Sequence, residues 1–373
     1  MKHRIRLGLL SILLLISLLG GCTLPDLGTG GGTTAAQTGA NSPTVSLSEA
    51  ASMPFAVHFV DVGQADCALV VCDGKAMLID GGNAADSNVV YTYLRKQGIS
   101  TLECLVATHA HEDHVGGLSG AFLAATVKKV YCPVTDYDTK AFRNFAAKAK
   151  AQGLDLTAPE VGESFSLGSA TVTVLGPMRD YEDVNDTSIV LRVVYGETSF
   201  LFTGDMEQIA ETDLVESGAT LRSTVLKVGH HGSYSSTSYR FLRAVAPTYA
   251  VIPVGKDNDY GHPHTDPLSR LRDADVTLFR TDLHGDVICG SDGKDVFFAT
   301  AKTPQTAVNP TEHDRTPSAS AAATGYTHIG NVESRVFHKP SCSSVPAADN
   351  RIYFITRAQA VYAGYTPCGK CKP

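Results

Sequence analysis

From residue 54 to residue 300 the chain alternates short apolar runs with segments of helical periodicity. Runs at 57–61, 68–72 and 76–80 are rich in β-branched and large apolar residues and are broken by Gly-Gln or Asp-Gly turns, which predicts three strands. A helix is predicted over 88–97, and 104–108 reads as a buried strand. A second group of strands is predicted at 170–175, 188–194, 199–203, 225–228 and 249–253, and helices at 140–152, 206–217, 237–245 and 267–274. Two blocks of strands with interspersed helices suit a sheet-on-sheet sandwich flanked by helices, and suit a doubly wound α/β sheet equally.

The regions outside this body differ in kind. Residues 7–19 are an almost unbroken apolar run preceded by Lys2, Arg4 and Arg6, and Leu19-Gly20-Gly21-Cys22 follows it. That order resembles a bacterial lipoprotein signal, with 1–21 removed and Cys22 lipidated; the alternative is a short uncleaved anchor, for which the run is shorter than a bilayer requires. The expected localisation is therefore export with a lipid anchor in the cell membrane, on its outer face. Residues 22–52 are rich in Gly, Thr, Ala and Ser and predict a flexible tether. A similar stretch at 303–324 separates the body, 53–302, from a tail at 325–373.

An apolar fraction of 43% and a charged fraction of 18% give a chain of 373 residues ample material for a core. The formal charge is −7, which excludes an overall basic footprint for nucleic acid. It is unevenly spread: 326–373 carries Arg335, Lys339, Arg351, Arg357, Lys370 and Lys372 against Glu333 and Asp349. Of nine cysteines, Cys67, Cys72, Cys104, Cys132 and Cys289 stand singly in apolar contexts and read as small buried residues.

The chemistry concentrates in Thr108-His109-Ala110-His111-Glu112-Asp113-His114, which leaves a predicted strand and leads into an apolar, helix-like run. Imidazole nitrogens and a carboxylate oxygen suit Zn²⁺ or Mn²⁺. In an extended turn His109 and His111 point to one side while Asp113 and His114 curl toward a second position, so one loop can feed two divalent ions.

The HxHxDH pattern resembles the metallo-β-lactamase fold superfamily. Its surroundings, Asp61-Val-Gly-Gln-Ala-Asp66, Leu78-Ile-Asp80-Gly-Gly, Asn185-Asp-Thr-Ser-Ile-Val-Leu, Phe202-Thr-Gly-Asp205, Leu226-Lys-Val-Gly-His230-His231-Gly-Ser233 and Tyr260-Gly-His262-Pro, resemble the metallohydrolase domain of ComEC/Rec2 competence proteins over about 54–300. The resemblance implies an αββα sandwich of the α/β class. It implies two metal ions held by His109, His111, Asp113, His114, Asp205 as the bridging carboxylate, and a histidine from the His230-His231 turn. His231 is the preferred ligand there, with His230 beside it. Asp80 is expected to orient a ligand histidine and Asp61 and Asp66 to play supporting parts. Asp113, His230, His262 and Asn185 are the candidates for proton transfer and substrate contact. The wider superfamily has a further histidine between the first cluster and the bridging aspartate; here Asn185 or Asp186 occupies that region. The second metal is therefore expected to be weaker, with Mn²⁺ a plausible occupant.

In the tail, His338-Lys-Pro-Ser-Cys342 and Cys368-Gly-Lys-Cys371 have the spacing of a structural zinc site, with a disulfide from Cys342 as the alternative. The segment resembles the zinc-binding domain of the Ada repair protein, with His338 in place of that family's first cysteine, so methyl transfer is not implied.

Together these features predict an exported phosphodiester hydrolase using two-metal activation of water, with DNA as the foremost substrate. Phosphodiesters of the cell envelope, such as phosphorylcholine or teichoic-acid esters, are the enzymatic alternative. A non-catalytic DNA-binding lipoprotein is the alternative of another class. No protein partner is expected.

Overall fold

The computed structural model describes residues 45–311 continuously and, in the tail, 328–331, 334–347, 350–354, 357, 360 and 365–373. The expected signal segment, the expected lipidation site Cys22 and most of both expected tethers lie outside the described residues.

Two sheets face each other. One runs in the order Val296–Thr300, Val287–Ser291, Phe55–Phe59, Ala68–Cys72, Lys75–Ile79, Cys104–Val106, Val130–Tyr131 and Leu156–Thr157. It is antiparallel as far as Lys75–Ile79 and parallel beyond. The other runs Thr277–Arg280, Tyr249–Ile252, Val225–Lys227, Thr198–Phe202, Val190–Tyr195, Ala170–Gly176 and Ser164–Leu167, parallel in its first half and antiparallel in its second.

Alternation along each strand assigns residues to layers. Phe55, Val57, Phe59, Val70, Met77 and Ile79 from the first sheet meet Val172, Leu191, Val193, Phe200, Phe202 and Val251 from the second, forming the central core. Phe55 packs on Phe200 at 4.8 Å between ring centroids and Phe59 on Phe202 at 6.2 Å. The outer face of the first sheet is covered by helices Ser87–Lys96, Leu118–Ala124 and Lys140–Ala151. The outer face of the second is covered by Gln208–Glu216, Tyr239–Val245 and Thr265–Asp273. Coverage on both faces explains why these strands are near-continuous apolar runs. The result is the αββα sandwich, and not the doubly wound sheet that the pattern also allowed.

The tethers are shorter than their composition implies. Ser46 and Glu49 form a capping box that starts a helix at Leu47–Ala51, whose Ala50 packs with Ile288 and Ala299. At the other end, Asn309 accepts from the Arg272 guanidinium at 2.9 Å and the Val308 carbonyl accepts from Arg280 at 3.1 Å. Residues 46–52 and 303–311 therefore belong to the body.

Within the tail, strands His328–Asn331, Val336–His338, Arg351–Phe354 and Thr366–Pro367 form a small sheet over Phe337, Phe354, Ala360 and Tyr365. The five lone cysteines of the body are buried thiols, as their contexts predict.

His58 points out of the sandwich toward Tyr93, whose hydroxyl lies 2.9 Å from its Nδ1. Burial pushes this imidazole down to about 4 from an ordinary 6.5. The folded state thus binds this proton less readily than the unfolded chain, so the contribution is lost as pH falls from about 6.5 toward 4. Roughly 3 kcal/mol of stability is expected to disappear over that window. Denaturant titrations at several pH values should show the slope in wild type and its flattening in His58→Gln.

Candidate metal centre

The ends of both sheets deliver the candidate residues to one rim. Strand Cys104–Val106 leads to Thr108 and His109, and the short helix Glu112–Val115 presents Asp113 and His114. Strand Thr198–Phe202 leads through Thr203 and Gly204 to Asp205. Strand Val225–Lys227 leads to the Gly229–Gly232 turn carrying His230 and His231.

The turns are tightly constrained. Gly204 has φ +50, and a Cβ there would approach Ser188 Oγ to 2.7 Å and Thr108 Cβ to 2.9 Å. A Cβ on Gly117 would lie 2.0 Å from the Gly81 carbonyl, so only glycine lets the loop after the histidine cluster pack against the Asp80-Gly81 turn. Asp80, His230 and His231 themselves adopt φ values of 57, 48 and 50. Left-handed backbone at non-glycine residues costs about 1–3 kcal/mol each and persists where the surroundings dictate it.

Asp113, His114, Asp205 and His231 each place a ligand atom within 4.8 Å of the others. His231 Nε2 is 3.2 Å from Asp113 Oδ2 and 3.4 Å from Asp205 Oδ2, and His114 Nε2 is 3.2 Å from Asp205 Oδ2. The remaining ring nitrogens are taken up elsewhere. His114 Nδ1 donates to Asp80 Oδ2 at 2.8 Å, and His231 Nδ1 donates to the Pro253 carbonyl at 3.0 Å. Both rings are thereby locked with Nε2 turned inward. Asp80 also accepts from the Thr108 N–H and hydroxyl, tying the orienting carboxylate to the loop it serves.

His109 and His111 form the second part of the site, with Nε2 and Nδ1 3.1 Å apart. Among the described residues no third imidazole, thiol or carboxylate joins these two in a comparable cluster. Ser188 stands beside them instead: its Oγ lies 3.5 Å from His109 Nδ1 and accepts the Asp205 N–H at 3.0 Å. Of the two residues expected in this region, Asn185 lines the cleft with a buried Oδ1 that makes no hydrogen bond. Asp186 is turned away and accepts the Glu207 N–H at 2.9 Å.

Three buried or half-buried residues that spacing did not single out complete the site. Lys227, 4% exposed, pairs with Asp66, donates to the Gly204 carbonyl at 2.8 Å and lies 3.8 Å from Asp205 Oδ1. Glu207 Oε1 accepts from His230 Nδ1 at 2.9 Å. Gln64 donates from Nε2 to His262 Nδ1 at 3.3 Å and accepts the Gly255 N–H at 3.0 Å.

The donor set suits divalent cations. His114 Nε2 and Asp205 Oδ1 are buried and make no hydrogen bond; His114 Nε2 faces the cluster, and Asp205 Oδ1 lies on the side of Lys227. Burial opposes a charged imidazole at His114 and His231, yet the carboxylates around them hold both well above the usual histidine range. For His114 these are Asp205, Asp80 and Asp113. Without an ion the cluster draws in protons to balance Asp66, Asp80, Asp113 and Asp205 against Lys227; a divalent cation supplies that charge in their place. At His109 burial and the nearby His114 push the ring well below its usual value, leaving it neutral as a ligand must be.

The cleft over this cluster has a volume of about 330 Å³ and is lined by Gln64, His111, Glu112, Asp113, Asn185, Asp205, His230, His231, Tyr260 and His262. His230 sits at its edge, Nε2 3.9 Å from Asp205 Oδ2 and outside the four-residue cluster.

In the tail, His338, Cys342, Cys368 and Cys371 converge in the same way, and His338 Nδ1 is buried without a hydrogen bond. Backbone N–H groups of Cys371 and Lys370 lower the Cys368 thiol below its usual value. The cysteines are unbonded to one another. Chelation is expected to unfold the tail sheet and raise the reactivity of all three thiols together. A thiol titration with and without added zinc checks this, and protection of only two thiols would contradict a four-ligand site.

Comparison with known proteins bears on both parts. Residues 60–256, over half the chain, match the metallo-beta-lactamase superfamily, and 313–373 match the metal binding domain of Ada. The chain is 28% identical over 250 residues to ComE operon protein 3 of Bacillus subtilis (strain 168), covering 62% of this chain and 32% of that one. It is 32% identical over 232 residues to competence protein ComA of Neisseria gonorrhoeae, covering 62% and 31%. Recombination protein 2 of Haemophilus influenzae matches at 31% over 252 residues, covering 65% and 30%. The chain thus spans about a third of the length of these relatives. With a two-sheet sandwich, a histidine–aspartate cluster on its rim and a family match across the body, this chain is a hydrolase of the metallo-beta-lactamase superfamily, carrying an Ada-type zinc-binding domain at its C-terminal end.

Proposed function

We propose that this protein is an exported, lipid-anchored phosphodiesterase that cleaves DNA. The observation that carries the reading is the inward-facing set Asp113, His114, Asp205 and His231 at the floor of an open cleft, with His109 and His111 beside it. The names of the relatives, competence and recombination proteins, favour nucleic acid among phosphodiesters. The basic run before an apolar segment and Cys22 supports the anchor.

Asp113, His114, Asp205 and His231 would hold one divalent ion, and His109 and His111, with fewer protein ligands, a second and weaker one, as Zn²⁺ or Mn²⁺. Bound there, such ions supply Lewis acidity toward a phosphoryl oxygen and lower the pKa of water, so no serine or cysteine nucleophile is needed. The protein's own groups do the positioning. Glu207 holds His230 by its Nδ1–H and leaves Nε2 facing the cleft. Burial pushes the His230 ring down, but the carboxylates of Asp205 and Glu207 more than offset it and hold the ring above its usual value, suited to protonating a leaving oxygen. Asn185 Oδ1 and His262 contribute contacts from the cleft walls.

The test is digestion of linear and circular DNA with Mn²⁺ or Zn²⁺, using Asp113→Ala as the control. Metal-dependent cleavage lost in Asp113→Ala is expected; hydrolysis of small phosphodiesters without any DNA cleavage would move the assignment to envelope esters. The formal charge of +4 over 326–373 would help capture phosphate backbones. Removing that segment is expected to raise KM for DNA and flatten its salt dependence, and unchanged values would remove it from substrate binding.

A further inference from the structure

Among the described residues, the walls of the cleft contain no lysine or arginine. Whatever binds here beyond the reacting phosphate is held by something other than the cationic row that usually tracks a nucleic-acid backbone. The one large exposed apolar side chain among the described residues that line it is Tyr260, 68% exposed although it shares the cleft with Asp113, Asp205 and His231. One face of its ring lies against His262, with centroids 5.6 Å apart and planes inclined by 24°.

The segment that carries Tyr260 is held firmly. Asn258 Nδ2 donates to the carbonyls of Gly255 and His262 at 2.9 and 2.7 Å, and Asn258 Oδ1 accepts the N–H groups of Tyr260 and His262 at 3.2 and 3.0 Å. Gln64 then ties Gly255 and the His262 ring to the first sheet's loop. An aromatic ring presented on so constrained a turn loses little conformational entropy on binding a flat partner.

We propose that Tyr260 is the stacking platform for an unpaired nucleobase next to the scissile phosphate, which makes single-stranded DNA the preferred substrate class. The inference rests on the phosphodiesterase reading above. A base stacked on Tyr260 has left its own duplex stack, so paired strands must first open or fray. Stacking is indifferent to base identity and needs no cation, which suits a cleft walled by histidine and carboxylate. With a single exposed ring the site offers one flat surface, not the several rings of a cage for a quaternary ammonium ion.

The experiment pairs two changes, one on each partner. Single-stranded oligonucleotides, intact or abasic at one nucleotide, are cleaved by wild type, Tyr260→Phe and Tyr260→Ala. Wild type and Tyr260→Phe are expected to lose roughly tenfold or more in kcat/KM when the base is removed, whereas Tyr260→Ala is already slower by that factor and loses no more. In parallel, a strand carrying 2-aminopurine is titrated with each protein: quenching of the base is expected with wild type and Tyr260→Phe and absent with Tyr260→Ala. Equal quenching by all three proteins, additive losses, or quenching relieved by choline instead of by mononucleotides would overturn the assignment. If no strand is cleaved by any protein but quenching still follows the ring, hydrolysis of DNA fails as a reading and the base subsite stands.

Discussion

Asp205→Asn is expected to abolish hydrolysis, by on the order of 10³-fold or more in kcat/KM, because members of an interdependent catalytic set do not fail singly. The change keeps the size of the side chain but removes one of the two carboxylate charges in the four-residue cluster. In the native arrangement His114 Nε2 and His231 Nε2 approach Asp205 Oδ2 to 3.2 and 3.4 Å. Burial disfavours ionisation of this carboxyl, yet the three neighbouring histidines hold it well below the carboxylate range, so it is a committed anion. Replacing it leaves Asp113 as the one carboxylate among the four residues that converge on the main position. Elemental analysis should show the body's metal content falling while the tail's zinc is retained, since His338, Cys342, Cys368 and Cys371 are untouched. A variant that keeps its full metal content and stays within tenfold of wild-type activity would remove Asp205 from the centre.

The histidine cluster was legible because its ligands sit close together in one loop: six residues place His109, His111, Asp113 and His114 at a strand end, and spacing alone brings them together. Strands on both flanks were legible for a related reason. Their apolar runs are continuous, and the structure begins and ends most of them within two residues of the predicted bounds. Three kinds of information were not local. The order of strands in each sheet depends on pairing between distant segments, so a sandwich and a doubly wound sheet share one pattern. The choice between His230 and His231 depends on a turn in which both adopt left-handed backbone and the rings diverge. Glu207 and Ser188 act only through residues brought in from other strands: Glu207 through His230, Ser188 through His109 and Asp205. The early end of the N-terminal tether was in fact written locally, in the capping box of Ser46 and Glu49, but a composition rich in small polar residues concealed it.

Lys227 was the least legible of all, because a single lysine in an otherwise apolar Val225-Leu226-Lys227-Val228 run reads as an outward-facing strand residue. It is instead buried beneath the cluster, paired with Asp66 and close to Asp205. Burial alone would push the Lys227 ammonium down and the Asp66 carboxyl up; their mutual attraction, aided by His231 and His114 at Asp66, reverses both. Lys227→Met keeps the bulk of the side chain and removes the cation, leaving buried Asp66 with the titratable rings of His231 and His114 in place of a fixed positive charge. Breaking a buried pair from one side costs about 3–5 kcal/mol, and that loss is expected in metal-free protein near pH 8. The pH dependence follows from the depressed carboxyl. In wild type the stability that Asp66 contributes is present above the unfolded carboxyl value of about 3.8 and is lost as pH falls through the lower folded one. In the variant the carboxyl no longer has its strongest stabiliser, so its folded value rises, against the remaining pull of His231 and His114, and protonation relieves more of the penalty as pH drops. The gap between the two proteins should therefore narrow toward pH 4–5, and adding a divalent ion at neutral pH should narrow it too by supplying positive charge beside Asp205. Denaturant curves across pH, with and without metal, measure both effects. A gap that stays below about 1 kcal/mol, or one that widens in acid, would show that Lys227 is not the counter-ion on which this buried carboxylate cluster depends.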